Sequence, residues 1–205
     1  MELKFITLAN NIREKNGFLS LDEIMELVAV NNIVYDCFSL LISKKAKIGK
    51  DNIFYPNVTI CCDDNSELIV GDSNYFFSST HFVAENGGKI LIGNRNEFSD
   101  GGVCVKANMT DANIVFGDNG RYDGRINIFG KCMFEAGSQI IGNINVYNCC
   151  LKEGGDYTEK NPDERAGLLK GFGTVKSVIV NRGMVINGAG DFSKAPLEQQ
   201  SKYHK

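Results

Sequence analysis

The chain is organised around a short motif that recurs at a nearly constant interval. In its best copies an aliphatic residue is followed by glycine, two variable residues, a small residue and one more, and an aromatic residue comes next. The copies begin at Ile48, Val70, Ile92 and Phe116, so the steps are 22, 22 and 24 residues. Repeats of this length are typical of solenoids, in which each repeat buries its apolar side against its neighbours.

A finer rhythm of six residues runs through these repeats from about residue 40. Inward positions come in pairs two residues apart, as in Leu68/Val70, Asn74/Phe76 and Thr80/Phe82. Residues two apart in a strand point to the same face. Each hexad therefore predicts one short strand and one corner, and three hexads make one coil of a triangular parallel β-helix. The residues beyond three hexads always follow the third one, which predicts a column of stacked loops along one edge.

Stacking the coils at the strand spacing of about 4.8 Å places equivalent side chains on top of each other. We therefore expect two internal ladders. The aromatic ladder comprises Phe54, Phe76, Phe98 and Tyr122, and the asparagine ladder comprises Asn52, Asn74 and Asn96. The glycines that follow the inward residue, at positions 49, 71, 93 and 117, are expected where the chain bends tightly.

Residues 1–32 read as a helical cap over the open end of the solenoid. Phe5, Leu8 and Ile12 share one face of a first helix, and Ser20 with Glu23 forms a capping box at the start of a second. Solenoids need caps because the last repeat would otherwise expose its core and strand edges.

The β-helix is predicted over 33–187, with an insertion at 147–171. Within it, a helix is expected to begin after Asn161 and to run to about Leu169. The last coil would bury Phe172/Thr174, Val178/Val180 and Met184/Ile186, although a hairpin turned at 181–183 also fits. Residues 188–205, which include His204, are expected to form a loose tail or a short helix.

Charge and cysteine content exclude several classes of protein. Lys and Arg number 22 against 25 Asp and Glu, so no basic excess favours nucleic acid. No apolar run reaches the roughly 18 residues of a membrane span. The N-terminus lacks a basic region followed by an apolar one, so a cytoplasmic location is expected. The seven cysteines show no zinc-binding spacing, which favours reduced thiols and no metal site.

The hexads resemble those of the left-handed parallel β-helix proteins, the hexapeptide-repeat family, with the best matches at 48–53, 70–75 and 92–97. The resemblance implies a mainly β fold, a left-handed parallel β-helix of about six coils. Spacing alone would also allow a right-handed helix, because most parallel crossovers are right-handed. Most members of that family are acyltransferases, so the resemblance implies acetyl-CoA as co-substrate and a homotrimer with active sites between neighbouring prisms.

Residues 84–94 resemble a segment of sugar O-acetyltransferases, which implies a sugar or sugar-nucleotide hydroxyl or amine as acceptor. A histidine is the general base in those enzymes, and His81 is the candidate here. Glu85 and Asp100 could orient it, and both are candidate substrate-binding residues together with Asn86.

Two lysines are candidates for holding the cofactor, Lys89 and Lys106. Functions other than acyl transfer were also considered. Residues 99–108 lack the histidine that the family usually has there, so the alternative is a non-catalytic scaffold or protein-binding module. Two histidines are too few for the three zinc ligands of a γ-class carbonic anhydrase.

Other clusters are expected to be structural. The acidic loop of Asp63, Asp64 and Glu67 could bind calcium but is expected to be a solvated turn. The vicinal pairs Cys61-Cys62 and Cys149-Cys150 could supply a thiol nucleophile, although no histidine lies nearby in sequence.

Overall fold

A computed structural model describes residues 2–203 of the chain, with side chains from Lys4 onward, so His204 lies outside the described residues. Two helices open the chain, α1 (Glu2–Lys15) and α2 (Leu21–Ala29). The strands up to the fifth coil are β1 (Ile33–Val34), β2 (Leu41–Ile42), β3 (Lys47–Ile48), β4 (Ile53–Phe54), β5 (Thr59–Cys62), β6 (Glu67–Val70), β7 (Tyr75–Phe76), β8 (His81–Ala84), β9 (Lys89–Ile92), β10 (Glu97–Phe98), β11 (Val103–Ala107), β12 (Asn113–Phe116), β13 (Arg121–Asp123), β14 (Ile126–Phe129) and β15 (Lys131–Phe134). The remaining strands are β16 (Gln139–Tyr147), β17 (Cys150–Leu151), β18 (Leu168–Lys176), β19 (Ile179–Val180), β20 (Met184–Asp191) and β21 (Leu197–Gln199).

The strands stack into three faces of a prism. Face A contains β1, β4, β7, β10 and β13, face B contains β2, β5, β8, β11 and β14, and face C contains β3, β6, β9, β12, β15, β17 and β19. The long strand β16 bends across a corner, because Gln139–Ile141 pairs with face A and Ile144–Tyr147 with face B. All ladders among β1–β20 are parallel. The protein is a left-handed parallel β-helix with a helical cap, as predicted.

The aromatic ladder is confirmed. The four rings are fully buried. Successive centroids lie 5.1 Å apart between Phe54 and Phe76, 5.3 Å between Phe76 and Phe98, and 5.1 Å between Phe98 and Tyr122. The 22-residue step appears directly in the pairing of Ile53 with Tyr75. The period of the sequence is therefore the circumference of one coil.

The asparagine ladder is also confirmed and is one coil longer than predicted. Asn52 accepts a hydrogen bond from the backbone of Asn74, and its own backbone N–H donates to Asn32 at 2.8 Å. Asn32 is the last residue of the predicted cap and was not part of the predicted ladder. The ladder stops at Gly120, because a Cβ there would collide with the hydroxyl of Tyr122.

The expectation that the repeated glycines occupy tight bends is wrong. Positive φ falls two residues later, as at Ser73 with φ 59°. Gly71 is required by the close approach of the next coil, since a Cβ there would lie 2.6 Å from the carbonyl oxygen of Gly93. The same crowding applies to the glycine column as a whole, at positions 49, 71, 93 and 117. Any side chain in this column would push two coils apart.

The cap contains the two predicted helices and the predicted capping box. Ile24 is buried against the first coil. Arg13 is the side chain of α1 that enters the fold, donating to the carbonyls of Leu19 and Leu40 at 2.6 Å each. Towards its N-terminus α1 is exposed to solvent, as at Leu8. The apolar face predicted to cover the core is therefore exposed.

The insertion is shorter than predicted. β17 continues face C by pairing with β15, so the chain leaves the β-helix only at residues 152–167. Asn161 does cap a helical segment, but it is a single 3₁₀ turn, Pro162–Glu164. The prediction of a helix to Leu169 is wrong, because Leu168 and Leu169 pair with β16. All nine residues of β18 pair with β16, which gives the backbone more hydrogen bonds than a short helix would.

The last coil differs from its predicted register at one corner. Phe172 was expected inside but is 60% exposed, while Val175 is buried. Phe172 lies opposite the exposed Asn143, where both strands turn the corner between faces A and B. The alternative hairpin does not form, because β20 pairs with β18 in parallel.

Residues 188–203 do not form the expected loose tail, and the short helix that was the alternative appears only as two 3₁₀ turns, Phe192–Lys194 and Gln200–Lys202. β20 runs to Asp191, Phe192 is buried, and β21 adds antiparallel to β20. Gln200 is buried and donates its amide to the carbonyl of Ala166 at 2.7 Å. The tail and the insertion together cover the C-terminal part of face A, where the outward Gln139 and Leu168 are buried. No helix among the described residues is long and apolar enough to cross a bilayer.

Candidate functional site

An apolar stripe runs along the outside of face C. In each strand one outward residue lies between two inward ones, and the parallel register stacks these outward residues from coil to coil. The stripe consists of Ile69, Leu91, Val115, Met133, Cys150 and Ile179. The signal was present in the sequence, because the middle residue of each inward pair on this face is apolar from β6 onward, with Lys47 in β3 as the exception.

A groove of about 720 Å³ lies over the C-terminal part of this stripe. Its apolar lining includes Met133, Val178 and Ile179, and one wall is the turn at 110–112. Lys89 and Lys131 also line it. This volume falls within the range of about 300–1,000 Å³ that is usual for small-molecule sites. Sequence reasoning singled out Lys89 and the pair Cys149-Cys150 but missed the rest of the groove.

Both lysines of the groove have weak, exposed carboxylate partners. Lys89 lies 3.7 Å from Glu67, and Lys131 lies 3.7 Å from Asp111. Exposed pairs of this kind contribute about 0–1 kcal/mol. Their ammonium groups can therefore exchange these partners for a bound anion at little cost.

The second vicinal cysteine pair divides between core and groove. Cys149 is buried with its neighbour Cys132, whereas Cys150 is half-buried on the groove side. Burial raises the pKa of the Cys132 thiol to about 12, and burial also raises the pKa of Cys149. Because only the thiolate is a nucleophile, the two buried thiols are unreactive packing groups.

A second cavity of about 530 Å³ lies where the cap meets the first loops of the loop column. It is lined by Cys61 and Glu85, among other residues. Burial, with a smaller effect of the Glu85 carboxylate, raises the pKa of Cys61. The acidic loop nearby forms a turn at 63–66 in which Asp63 accepts hydrogen bonds from the backbone of Asn65 and Asn86.

The structure does not gather the predicted catalytic residues. His81 begins β8 on the outside of face B, half-buried between Thr59 and Cys104 in register. No hydrogen bond or ion pair within residues 2–203 involves its ring. Glu85 follows the other end of β8, roughly 13 Å away at about 3.3 Å per residue. Asp100 is exposed in the corner before β11.

The remaining predicted residues take separate places. Asn86 has φ 56° and donates its side-chain amide to the carbonyl of Asn108 at 3.2 Å, so it holds two loops of the column together. Lys106 is exposed on face B beside the turn at 108–112, across that edge from Lys89. The two lysines thus flank one edge of the prism.

Among the described residues, no group of three His, Cys, Asp or Glu side chains could hold a metal ion. All seven cysteines are free thiols. The groove offers apolar contact, backbone groups, two ammonium ions and the half-buried thiol of Cys150.

Comparison with known proteins gives only a distant structural likeness. No protein-family model matches the chain, and no curated protein matches it in sequence. Among solved structures it is similar to LpxA from Acinetobacter baumannii, with 14% identity and a TM-score of 0.36. That match covers 84% of this chain and 73% of the other.

Proposed function

We propose that the protein is an acyltransferase that holds acetyl-CoA in the groove on face C and acetylates a sugar or sugar-nucleotide hydroxyl or amine. The groove is the observation that carries this proposal. Its floor is apolar over Met133, Val178 and Ile179, and Lys89 and Lys131 supply positive charge. Acetyl-CoA combines a long, uncharged arm with anionic phosphates, so its chemistry complements both parts.

A base must remove the proton from the acceptor hydroxyl or amine, and we assign this role to His81. Its imidazole would take the proton from the acceptor as the acceptor atom attacks the thioester carbonyl. The carbon–sulfur bond then breaks, and the proton returns to the CoA thiolate. His81 lies on face B and the groove on face C, so the two meet only if face B of one prism packs against face C of another. A homotrimer of prisms provides that arrangement.

Calorimetric titration with acetyl-CoA and with CoA tests the binding step. The proposal predicts micromolar affinity and about one site per chain. Ile179→Asp places a carboxylate in the groove at an exposed position and should weaken binding at least tenfold. Phe172→Asp is the matched control, because Phe172 is equally exposed and lies outside the groove. No heat at millimolar ligand from folded protein would reject the proposal.

Turnover measurements test the base separately. Replacing His81 by Ala should lower the rate by about 10²–10⁴, the usual contribution of a general base. Thr59→Ala, one coil away on the same outward column, serves as the control. An unchanged rate in His81→Ala would remove His81 from the mechanism while leaving acetyl-CoA binding intact.

A second candidate is a non-catalytic assembly or protein-binding module. The specific observation in its favour is the exposed apolar surface of the N-terminal cap, where Phe5 is 64% and Tyr35 59% exposed. The same titration separates the two functions, since a module of this kind has no reason to bind CoA.

A further inference from the structure

Exposed apolar side chains concentrate at the N-terminal end of the prism. Of the 17 large apolar side chains that are exposed among the described residues, ten lie between residues 5 and 38. We call these ten the N-terminal surface. They are Phe5, Ile6, Leu8, Ile12, Met25, Val28, Val30, Ile33, Tyr35 and Phe38. Scattered exposed apolar residues need no explanation, but a concentration of this kind marks an interaction site.

This distribution contradicts what an end cap normally does. Terminal units of a solenoid carry a polar outer face, because that face ends the stack in water. Here α2 buries Leu21 and Ile24 inward but presents Met25 and Val28 outward. The cap therefore covers the core of the β-helix but exposes an apolar surface of its own.

Helix α1 gives an independent indication. It has 14 residues, and Arg13 is its one buried side chain among those described from Lys4 onward. Its apolar residues Phe5, Leu8 and Ile12 point away from the core at 64%, 57% and 55% exposure. Helices of this length are marginal in water without tertiary packing. Packing of a partner over the half that the described residues leave uncovered would therefore stabilise the helix.

The opposite end of the prism has fewer exposed apolar side chains. From residue 168 to 203 they are Phe172, Ile179 and Leu197, against ten between residues 5 and 38. Phe192 is buried, and the outer residues there include Lys194, Gln199 and Lys202. A head-to-tail contact would need complementary patches at both ends and would propagate into a filament. A two-fold contact needs only one self-complementary patch, and it closes after two copies.

The N-terminal surface is large enough for such a contact. Its ten side chains are on average about half exposed. With roughly 150–200 Å² for each large apolar side chain, they offer on the order of 800–1,000 Å². A standard interface buries about 800 Å² on each partner.

We propose that a second copy of this chain covers the N-terminal surface, so that two prisms join cap to cap about a two-fold axis. Helix α1 of each copy packs its Phe5, Leu8 and Ile12 face in this interface. The contact lies at the end of the prism and leaves the groove on face C and His81 on face B free. It does not depend on acetyl-CoA being the ligand of the groove.

The test is the mass of the full-length protein in solution, measured by sedimentation equilibrium or light scattering. The chain has a mass of 22.6 kDa, and the proposal predicts a particle with an even number of chains. Leu8→Glu and Met25→Glu, on α1 and α2, should each halve that mass while the β-strand signal of the circular dichroism spectrum is retained. Phe172→Glu, an equally exposed apolar position outside the surface, should leave the mass as it is.

A halved mass supports the contact whether or not prisms also associate through their faces. A monomer in the unsubstituted protein overturns the proposal, as does a particle whose mass neither substitution changes. Loss of acetyl-CoA binding with an intact even-numbered particle would count against the acyltransferase and not against this contact. The two proposals therefore fail separately.

Discussion

Removing one rung of the asparagine ladder should destabilise the protein far more than removing an exposed asparagine. Asn74 is fully buried. Its Nδ2 donates to Asn52 Oδ1 and to the carbonyl of Gly93, at 3.0 Å each. Its Oδ1 accepts from the backbone N–H of Asn96 at 2.8 Å and from Asn96 Nδ2 at 3.1 Å. One side chain thus connects three coils.

The magnitude follows from the groups that lose their partners. In Asn74→Ala the carbonyl of Gly93 and the backbone N–H of Asn96 lose the side-chain partners described above. Each unsatisfied buried group costs about 1–3 kcal/mol, so the expected loss in the free energy of unfolding is about 2–6 kcal/mol. Asn74→Leu fills the space but restores no hydrogen bond, and it should be destabilised as well.

Urea unfolding followed by circular dichroism measures these differences. The matched control is Asn65→Ala, at an exposed turn position, where a change within about 0.5 kcal/mol is expected. A loss below about 1 kcal/mol in Asn74→Ala would refute the argument. Full recovery of stability in Asn74→Leu would show that the space matters and the hydrogen bonds do not.

Three further predictions concern individual groups. Tyr122→Phe should increase stability by about 1–3 kcal/mol in the same unfolding assay, because the buried Tyr122 hydroxyl has no hydrogen-bond partner within residues 2–203; a destabilised variant would contradict this. Glu135→Gln should destabilise the protein at pH 7 but not near pH 2. The hydrogen bond from Lys152 lowers the pKa of Glu135, so its contribution is present above the usual value of about 4.3 and is lost as pH falls through the lower folded value. A variant equally destabilised at both pH values would contradict that cause. Maleimide labelling with mass spectrometry should modify Cys37, Cys61, Cys104 and Cys150 in the folded protein and spare Cys62, Cys132 and Cys149; equal labelling of all seven would contradict their burial.

The repeat made most of the fold predictable, because stacking forces the same physical requirement on every coil. Phe76 and Asn74 are copies of positions 22 residues away, so each was supported by its neighbours in sequence. Phe172 had no such support. Its coil follows an insertion of unpredictable length, and a shift at the corner beside Gly171 and Gly173 turned it outward.

The candidate site was much less predictable than the fold. His81 and Lys89 lie on different faces of the prism, and nothing in the spacing fixed the distance between them around it. The groove depends on the turn at 110–112 standing beside coils that are 20 to 70 residues further on. Only the outward apolar residues such as Met133 and Ile179 signalled it, since they break the polar pattern expected of an exposed face.

The most direct test of the central claim is the rate at which Cys150 is alkylated with and without acetyl-CoA. Cys150 lines the groove, whereas Cys37 is similarly half-buried at the N-terminal end of the prism and lies outside it. If acetyl-CoA occupies the groove, saturating ligand should slow the labelling of Cys150 at least tenfold and leave Cys37 unchanged. Equal rates for Cys150 with and without ligand would contradict the assignment of the groove as the acetyl-CoA site.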